Sequence, residues 1–257
     1  MIYIFTIFSL SIGSFLNALI HRLHSGESML DRSQCPKCQR PIAWYDNIPV
    51  LSYVFLLGKC RHCQKPISIQ YPLVEIITAV LFAYAFYNNF QFFSNAITSK
   101  FLLLTLRDLF LISVLIIVFV YDLRWYLILD IVTLPAIVMI LILNLLLGMN
   151  WQNILISGII GLGFFLLQFV VSRGKWIGGG DLRLGLLMGV SLGFPNIIIA
   201  LMIAYVVGAI FGLGLIALGK KKMSSEVPFG TFLSLATIVT LFWGENILNW
   251  YLEFIGL

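Results

Sequence analysis

Two aspartates have the side-chain type and the position to perform acid–base chemistry at a membrane boundary. Asp181 directly follows Gly178, Gly179 and Gly180 and precedes a long apolar run, and Asp122 ends another apolar run 59 residues earlier. An aspartate at the centre of a spanning helix costs about 2.5–3.5 kcal/mol on insertion scales, so such residues usually have a function. We therefore expect these two carboxylates to meet in one site.

Two carboxylates that share a partly dry site are expected to share one proton, because both cannot easily be ionised. The ionised member can activate water while the protonated member polarises a carbonyl, which hydrolyses an amide without a metal or a covalent intermediate. The dipole at a helix amino end favours Asp181 as the ionised member and leaves the proton to Asp122. The three glycines would let an extended peptide backbone approach closely.

Each aspartate could instead be a helix cap or an ordinary charge at the membrane interface. Asp130 is a rival to Asp122 as the partner of Asp181, although it begins the next predicted helix, where an N-cap role is natural. Asp108 lies 14 residues before Asp122 on the same predicted helix, which separates them by about 21 Å. We expect Asp108 to lie near the opposite face and to pair with Arg107.

Four cysteines form two C-x2-C pairs, Cys35 with Cys38 and Cys60 with Cys63, separated by 21 residues. This spacing is close to that of zinc ribbons, and two such pairs can complete a tetrahedral four-cysteine site. A segment of ~50 residues cannot build a large core, so a structural zinc would stabilise it. Redox thiols and unliganded cysteines are the alternatives. His62 could replace one ligand but is expected to be an exposed loop residue.

The composition is that of a polytopic membrane protein. Of 257 residues, 60% are hydrophobic and 11% charged, whereas a soluble domain carries about 25% charged residues. The first 20 residues are apolar, with no basic stretch before them and no small-residue cleavage site after them, so we predict a retained helix rather than a signal peptide. No basic stretch is interleaved with stacking aromatics, so we expect no nucleic-acid partner and assign the net charge of +5 to membrane orientation.

The predicted fold is an all-α polytopic membrane protein with about eight transmembrane helices and a small cytoplasmic, zinc-ribbon-like loop domain. Each span needs about 20 mostly apolar residues. The predicted spans are 2–20, 72–90, 102–121, 130–149, 153–172, 184–201, 197–219 and 230–250. The sixth and seventh overlap around the turn at Gly193–Asn196. We divide the chain into a first helix (1–20), a cysteine-containing domain (21–71) and a transmembrane peptidase domain (72–257).

Lys and Arg set the predicted orientation, because cytoplasmic loops carry an excess of both. With the amino terminus outside, the inner loops hold 14 of the 16 basic residues. These are Arg22, Arg32, Lys37, Arg40, Lys59, Arg61, Lys65, Arg124, Arg173, Lys175, Arg183, Lys220, Lys221 and Lys222. Both aspartates and the cysteines then face a reducing cytoplasm, where lasting disulfides are rare. We expect His21 and His24 to be interfacial.

The order of these motifs resembles that of the type IV prepilin peptidases, which are membrane aspartyl proteases, and the resemblance spans nearly the whole chain. The matching segments are Gly13–Asn17, His21–Leu23, Asn47–Tyr53 between the cysteine pairs, Tyr71–Glu75, Asp122 with Asp130 and Leu134–Pro135, the G-x-G-D motif Gly178–Asp181, and Pro228–Gly230. Two positions depart from the family pattern. Arg183 stands where Lys is usual, and Leu129 stands where Pro is common.

The resemblance implies that Asp122 and Asp181 are the catalytic pair, in the bacterial cytoplasmic (inner) membrane. It further implies that the substrates are pilin or secretion precursors whose short basic leader is cut on the cytoplasmic side after a glycine. Methylation of the new amino terminus from S-adenosylmethionine is also implied, although no residue here indicates that cofactor's site. The apolar helix of a prepilin would lie in the bilayer, with the scissile bond at its inner face.

Two alternatives from other functional classes stay open at this point. A proton- or cation-coupled transporter could use the same aspartates to carry its ion. A zinc-bearing membrane scaffold would need no chemistry from them at all. The role of Glu75, near the start of the second predicted span, is also open: it could interact with the helix dipole or touch substrate.

Overall fold

The computed structural model describes residues 2–28, 31–93, 96–219 and 227–256, and within them the protein is helical. The helices are α1 Ile2–Ser25, α2 Leu51–Phe55, α3 Gln70–Phe92, α4 Ser99–Trp125, α5 Asp130–Leu146, α6 Trp151–Ser172, α7 Gly179–Leu192, α8 Asn196–Ala217 and α9 Phe229–Phe254. A single 3-10 turn covers Trp44–Asn47. In these ranges β pairing is limited to two isolated bridges, so the predicted all-α class is confirmed.

Five helices, namely α3, α4, α6, α8 and α9, are long and apolar enough to cross a membrane, and α5 is a shorter apolar helix. The protein is therefore a multi-pass membrane protein. The described ranges contain eight helices of 14 residues or more, which equals the number of spans predicted from the apolar runs, but α7, with 14 residues, is shorter than a span requires. Three of the basic residues assigned above to the inner loops lie outside the described residues, namely Lys220, Lys221 and Lys222.

The sixth predicted span, 184–201, differs from the helix that forms. Helix α7 begins five residues earlier, at Gly179, and ends at Leu192. Gly193 follows with φ of +73°, a conformation that costs little without a side chain and that stops the helix. Pro195 is then the N-cap of α8. The apolar run is thus divided between two helices by a short turn.

The chain forms two compact units, Met1–Gln91 and Phe92–Leu257. In the first unit α1 packs on α3 at Gly13, where a Cβ would lie 2.7 Å from the Glu75 Cα. The buried Glu75 carboxylate accepts the Val50 N–H at 2.7 Å, and the Asn17 Nδ2 donates to the Tyr71 carbonyl at 2.9 Å. These bonds fasten the cysteine segment to its flanking helices. The division at 21 and 71 stays a prediction.

In the second unit, α6 and α7 pack backbone against backbone through small residues. A Cβ on Gly161 would overlap the Gly185 carbonyl oxygen, and a Cβ on Gly189 would overlap the Ser157 carbonyl oxygen. Such small-xxx-small pairs let membrane helices approach closely and gain van der Waals contact. Helix α7 also contacts α5 and α9, and both of these contact α4. The successive reversals from α4 to α7 bring the carboxyl end of α4 and the amino end of α7 to one end of the bundle.

Candidate active site

Asp122 lies in the last turn of α4, which ends where Tyr126 adopts φ of +55°. Its side chain is buried, and its Oδ2 accepts the N–H of Thr231 at 2.9 Å. A Cβ on Gly230 would lie 3.0 Å from the same oxygen. The absence of a side chain at Gly230 therefore lets the first turn of α9 reach Asp122, whose carboxylate faces the positive end of that helix's dipole.

Asp181 lies in the first turn of α7 and is also buried. Its Oδ2 accepts the N–H of Gly178 at 3.1 Å, which satisfies a donor that the helix leaves unpaired. Both aspartates thus bond N–H groups at helix amino ends. The dipole argument that favoured Asp181 as the ionised member applies to Asp122 as well.

Ile128, in the connection between α4 and α5, joins the surroundings of the two aspartates. A Cβ on Gly180 would lie 2.7 Å from the Ile128 Cβ, and a Cβ on Gly230 would lie 2.9 Å from its Cδ1. Ile128 therefore lies against the first turn of α7, which carries Asp181, and against the first turn of α9, which bonds Asp122. The structure therefore brings the two carboxylates, far apart along the chain, into one site.

The three glycines before Asp181 have different surroundings. Gly178 donates its N–H to the Asp181 carboxylate. Gly180 leaves the space that Ile128 occupies, whereas a Cβ on Gly179 would meet no heavy atom within 4 Å in the described residues. Of the three, Gly179 is therefore the position with room beside it for a peptide.

The four cysteine sulfurs converge in the first unit. All lie within 4.8 Å of one another, and the Cys35 and Cys63 Sγ atoms are 3.9 Å apart. A tetrahedral zinc with Zn–S bonds of ~2.3 Å would hold its sulfurs about 3.8 Å apart, so the donor set fits zinc. The chain turns identically around each pair: the Cys35 N–H bonds the Arg40 carbonyl and the Cys60 N–H bonds the Lys65 carbonyl, both at 3.0 Å.

Comparison with known proteins identifies the family. A model described as the type IV leader peptidase family matches residues 109–213, and one described as the bacterial peptidase A24 N-terminal domain matches 7–89. The prepilin leader peptidase/N-methyltransferase of Aeromonas salmonicida is 36% identical, covering 96% of this chain and 92% of that protein. This chain belongs to the type IV leader peptidase family. It is accordingly a membrane protease.

Proteins of the same name from two other bacteria are also similar to this peptidase. The Legionella pneumophila protein is 32% identical over 96% of this chain and 93% of its own length. The Bacillus subtilis protein is 29% identical over 98% of each. No solved structure matches the chain. Each of the two family models falls within one of the peptidase's compact units.

Asp130, the rival partner, does not act as the N-cap of α5 in the peptidase. The N-cap is Leu129, and Asp130 is the first helical residue, so the N-cap prediction was wrong. Its half-exposed carboxylate pairs with Arg183 on α7. This ion pair ties the connection that holds Ile128 to the helix that holds Asp181.

Asp108 pairs with Arg107, as predicted, at 2.5 Å, and both side chains are buried. His62 is exposed, also as predicted, and the metal-ligand cluster found among the described residues consists of the four cysteines. Backbone N–H groups of Cys63 and His62 lower the pKa of the Cys60 thiol to about 7, whereas burial and the neighbouring cysteines raise the pKa of the Cys63 thiol to about 11. Cys60 is therefore the cysteine of this pair that most readily forms the thiolate that metal ions bind.

Tyr205, on α8, is a polar residue near the two aspartates' helices that the sequence analysis missed. Its hydroxyl donates to the Gln168 Oε1 at 2.9 Å, and its ring lies 5.0 Å from that of Phe229. Phe229 directly precedes Gly230, so this ring packs beside the turn that bonds Asp122. A lone tyrosine within an apolar helix was the signal available in the sequence.

Proposed function

We propose that this protein removes the basic leader of type IV prepilins or related pseudopilins, using Asp122 and Asp181 as an acid–base pair. The observation that carries the proposal is the meeting of two buried carboxylates, each held by backbone N–H groups, around Ile128. One proton shared between them would leave one carboxylate to activate water and the other to polarise the scissile carbonyl.

The proposed substrate path starts at Gly179. A peptide must be extended to be cut, and the open space beside this glycine lets a backbone approach Asp181. The Tyr205 hydroxyl supplies a further polar group beside the pair. We further propose that this end of the bundle faces the cytoplasm, because Arg124, Arg173, Lys175 and Arg183 flank it. A prepilin helix in the inner membrane would then present its leader to the site.

Leader cleavage by the purified protein in lipid nanodiscs tests this function. A synthetic prepilin segment, comprising a basic leader, a glycine at the junction and an apolar helix, is the probe, and mass spectrometry locates the cut. We expect one cut after the junction glycine. An intact probe would contradict the proposal. Proton or cation flux in liposomes that is lost in Asp181→Asn, without any cleavage by the wild type, would favour the transporter alternative.

We propose that the first unit carries the second activity that the relatives' names include, amino-terminal methylation. The leader peptidase model matches 109–213 and leaves this unit to a separate model. The unit contains a cavity of about 330 Å³, lined by Ser11, Ser14, Phe15, Ala18, Arg22, Ser33, Asn47 and Pro49. That volume lies within the range of ~300–1,000 Å³ for ligand pockets. Its polar lining suits S-adenosylmethionine, which supplies an electrophilic methyl group when bound.

In this proposal Arg22 would hold the carboxylate of S-adenosylmethionine, and the serine and Asn47 side chains would hold its other polar groups. The ring of Phe15 would attract its sulfonium. Equilibrium dialysis of labelled S-adenosylmethionine measures binding independently of catalysis. Ala18→Phe, which fills the cavity, is expected to weaken binding at least tenfold, while Asp181→Asn should bind as the wild type does. Equal binding by Ala18→Phe would refute this site.

We propose that the four cysteines hold a structural zinc. Elemental analysis of the purified protein should find one zinc per chain, because the sulfur separations match a tetrahedral ion. Replacing Cys35 and Cys63 together by Ser should release the zinc and increase proteolysis of the cysteine segment. His62→Ala is the matched control and should retain the metal. Zinc-free wild-type protein with four freely reactive thiols would rule the site out.

A further inference from the structure

Helix α7 is too short to cross a bilayer by itself. It has 14 residues, which span about 21 Å, against a hydrocarbon core of about 30 Å. Its last turn is inside the protein, since Val190 is 6% exposed and Ser191 is 3% exposed. The final carbonyls of a helix have no partner within the helix, and neither lipid nor an apolar interior supplies one. Other side chains must therefore bond them.

Two buried side chains from neighbouring helices provide these bonds. The Asn144 Nδ2 of α5 donates to the Val190 carbonyl at 2.7 Å, and the Arg107 Nη1 of α4 approaches the Ser191 carbonyl at 3.5 Å. The same Arg107 nitrogen donates to the Asn144 Oδ1 at 3.3 Å. Asn144 is fully buried and Arg107 nearly so. Both are thus bound to one end of α7.

A third helix holds Phe194, two residues beyond the end of α7. The Asn153 side chain of α6 donates through Nδ2 to the Phe194 carbonyl at 3.0 Å and accepts the Phe194 N–H through Oδ1 at 2.8 Å. A Cβ on Gly193 would lie 2.8 Å from that Oδ1. We call Arg107, Asn144 and Asn153 the α7 collar. Its members come from three different helices.

The positive charge of Arg107, in the α7 collar, is paired with the carboxylate of the adjacent residue Asp108. The Arg107 Nε and Nη2 atoms donate to the Asp108 Oδ1 at 2.8 and 2.5 Å. Removing an ion pair from water is costly and is weak evidence for stability, since apolar residues of similar volume often serve equally well. The Arg107–Asp108 pair has a different relevance here. Asp108 holds the Arg107 side chain in place, next to the Ser191 carbonyl at the end of α7.

We infer that the α7 collar sets the axial position of α7 and thereby places Asp181, at the other end of the same helix, against Asp122. Asp181 and Ser191 are ten residues apart, about 15 Å along one helix, and a rigid helix transmits a shift from end to end. The collar residues are positioning residues, and this role rests on the proposed function. A misplacement of about 1 Å can lower a rate ~100-fold.

Steady-state leader cleavage by folded variants in nanodiscs tests the inference. Asn144→Leu keeps the branching and the number of side-chain heavy atoms but removes both the donor to Val190 and the acceptor for Arg107. Asn153→Ala removes both bonds to Phe194. We expect kcat to fall 10- to 100-fold in each, with KM within twofold of the wild type. Arg107→Lys should retain more activity than Arg107→Met. Gln152→Ala, at the exposed neighbour of Asn153, is the matched control and should keep the wild-type kcat.

A second readout separates this inference from the proposed function. Gly179→Cys places a thiol where the structure leaves open space. Its labelling by a charged maleimide, measured by mass spectrometry on the peptide that contains residue 179 and thus separately from the four native cysteines, reports the position of the α7 amino end. Combining it with Asn144→Leu or Asn153→Ala should change the labelling rate at least threefold. Folded collar variants with the wild-type kcat and labelling rate would overturn the inference. Cleavage by Asp181→Asn would instead remove the proposed function and leave the labelling result standing.

Discussion

Asp181→Asn and Asp122→Asn are each expected to lower the rate of leader cleavage by about 10³-fold or more, because the amide can neither take nor give the shared proton. Asn has nearly the shape of Asp, so the N–H bonds from Gly178 and Thr231 can be kept. The loss should appear in kcat, with substrate binding nearly unchanged. Cleavage of the prepilin probe by each purified variant, compared with the wild type, provides the measurement.

Asp130→Asn is the control for this experiment, since it removes a third carboxylate from the same end of the bundle. Asp130 is half exposed and its ion-pair partner Arg183 is partly exposed, and such surface pairs contribute about 0–1 kcal/mol. Activity should therefore stay within about fivefold of the wild type. Full activity in Asp122→Asn together with an inactive Asp130→Asn would make Asp130 the partner of Asp181.

Gly161→Ala is expected to have the second-largest effect, on both stability and activity. The added Cβ would overlap the Gly185 carbonyl oxygen, so the clash falls between two backbones and neither can turn aside. Helices α6 and α7 must separate, which should lower the free energy of unfolding by about 3 kcal/mol. The same separation displaces Asp181, so cleavage should fall roughly 100-fold.

Gly163→Ala is the matched control, two residues along the same helix, where a Cβ meets no heavy atom within 4 Å in the described residues. It should be as stable and active as the wild type, because Ala is at least as good a helix former as Gly. Thermal unfolding in detergent and cleavage of the probe measure both effects. Equal melting temperatures for the two variants would show that α6 and α7 are not packed at Gly161.

The membrane class, the long apolar helices and the cysteine cluster could be predicted from the sequence because each depends on a local pattern. Apolar runs of about 20 residues need a bilayer whatever their partners are. Two residues between paired cysteines suit a shared metal by chain geometry alone. The boundary between the sixth and seventh helices could not be placed from the sequence, since the apolar run continues through it and only the short turn that contains Gly193 and Pro195 separates the two helices.

The two aspartates could be selected from the sequence, but the residues that surround them could not. Asp122 and Asp181 stood out because a carboxylate at the end of an apolar run is unusual. The N–H that holds Asp122 belongs to Thr231, 109 residues away, and Ile128 looks like any apolar loop residue. The sequence predicted the same role, close approach of a peptide backbone, for all three glycines. In the structure Gly180 instead makes room for Ile128, and Gly179 borders open space.

The sequence by itself thus determined which segments are apolar enough to enter a membrane. It also determined which carboxylates and thiols are candidates for chemistry. Only the tertiary structure decided which of these groups meet and what holds them. Contacts such as Asn144 with Val190 or Ile128 with Gly230 join residues that are distant along the chain. Such contacts correspond to no periodicity or motif spacing in the sequence, because they depend on how the helices pack in three dimensions.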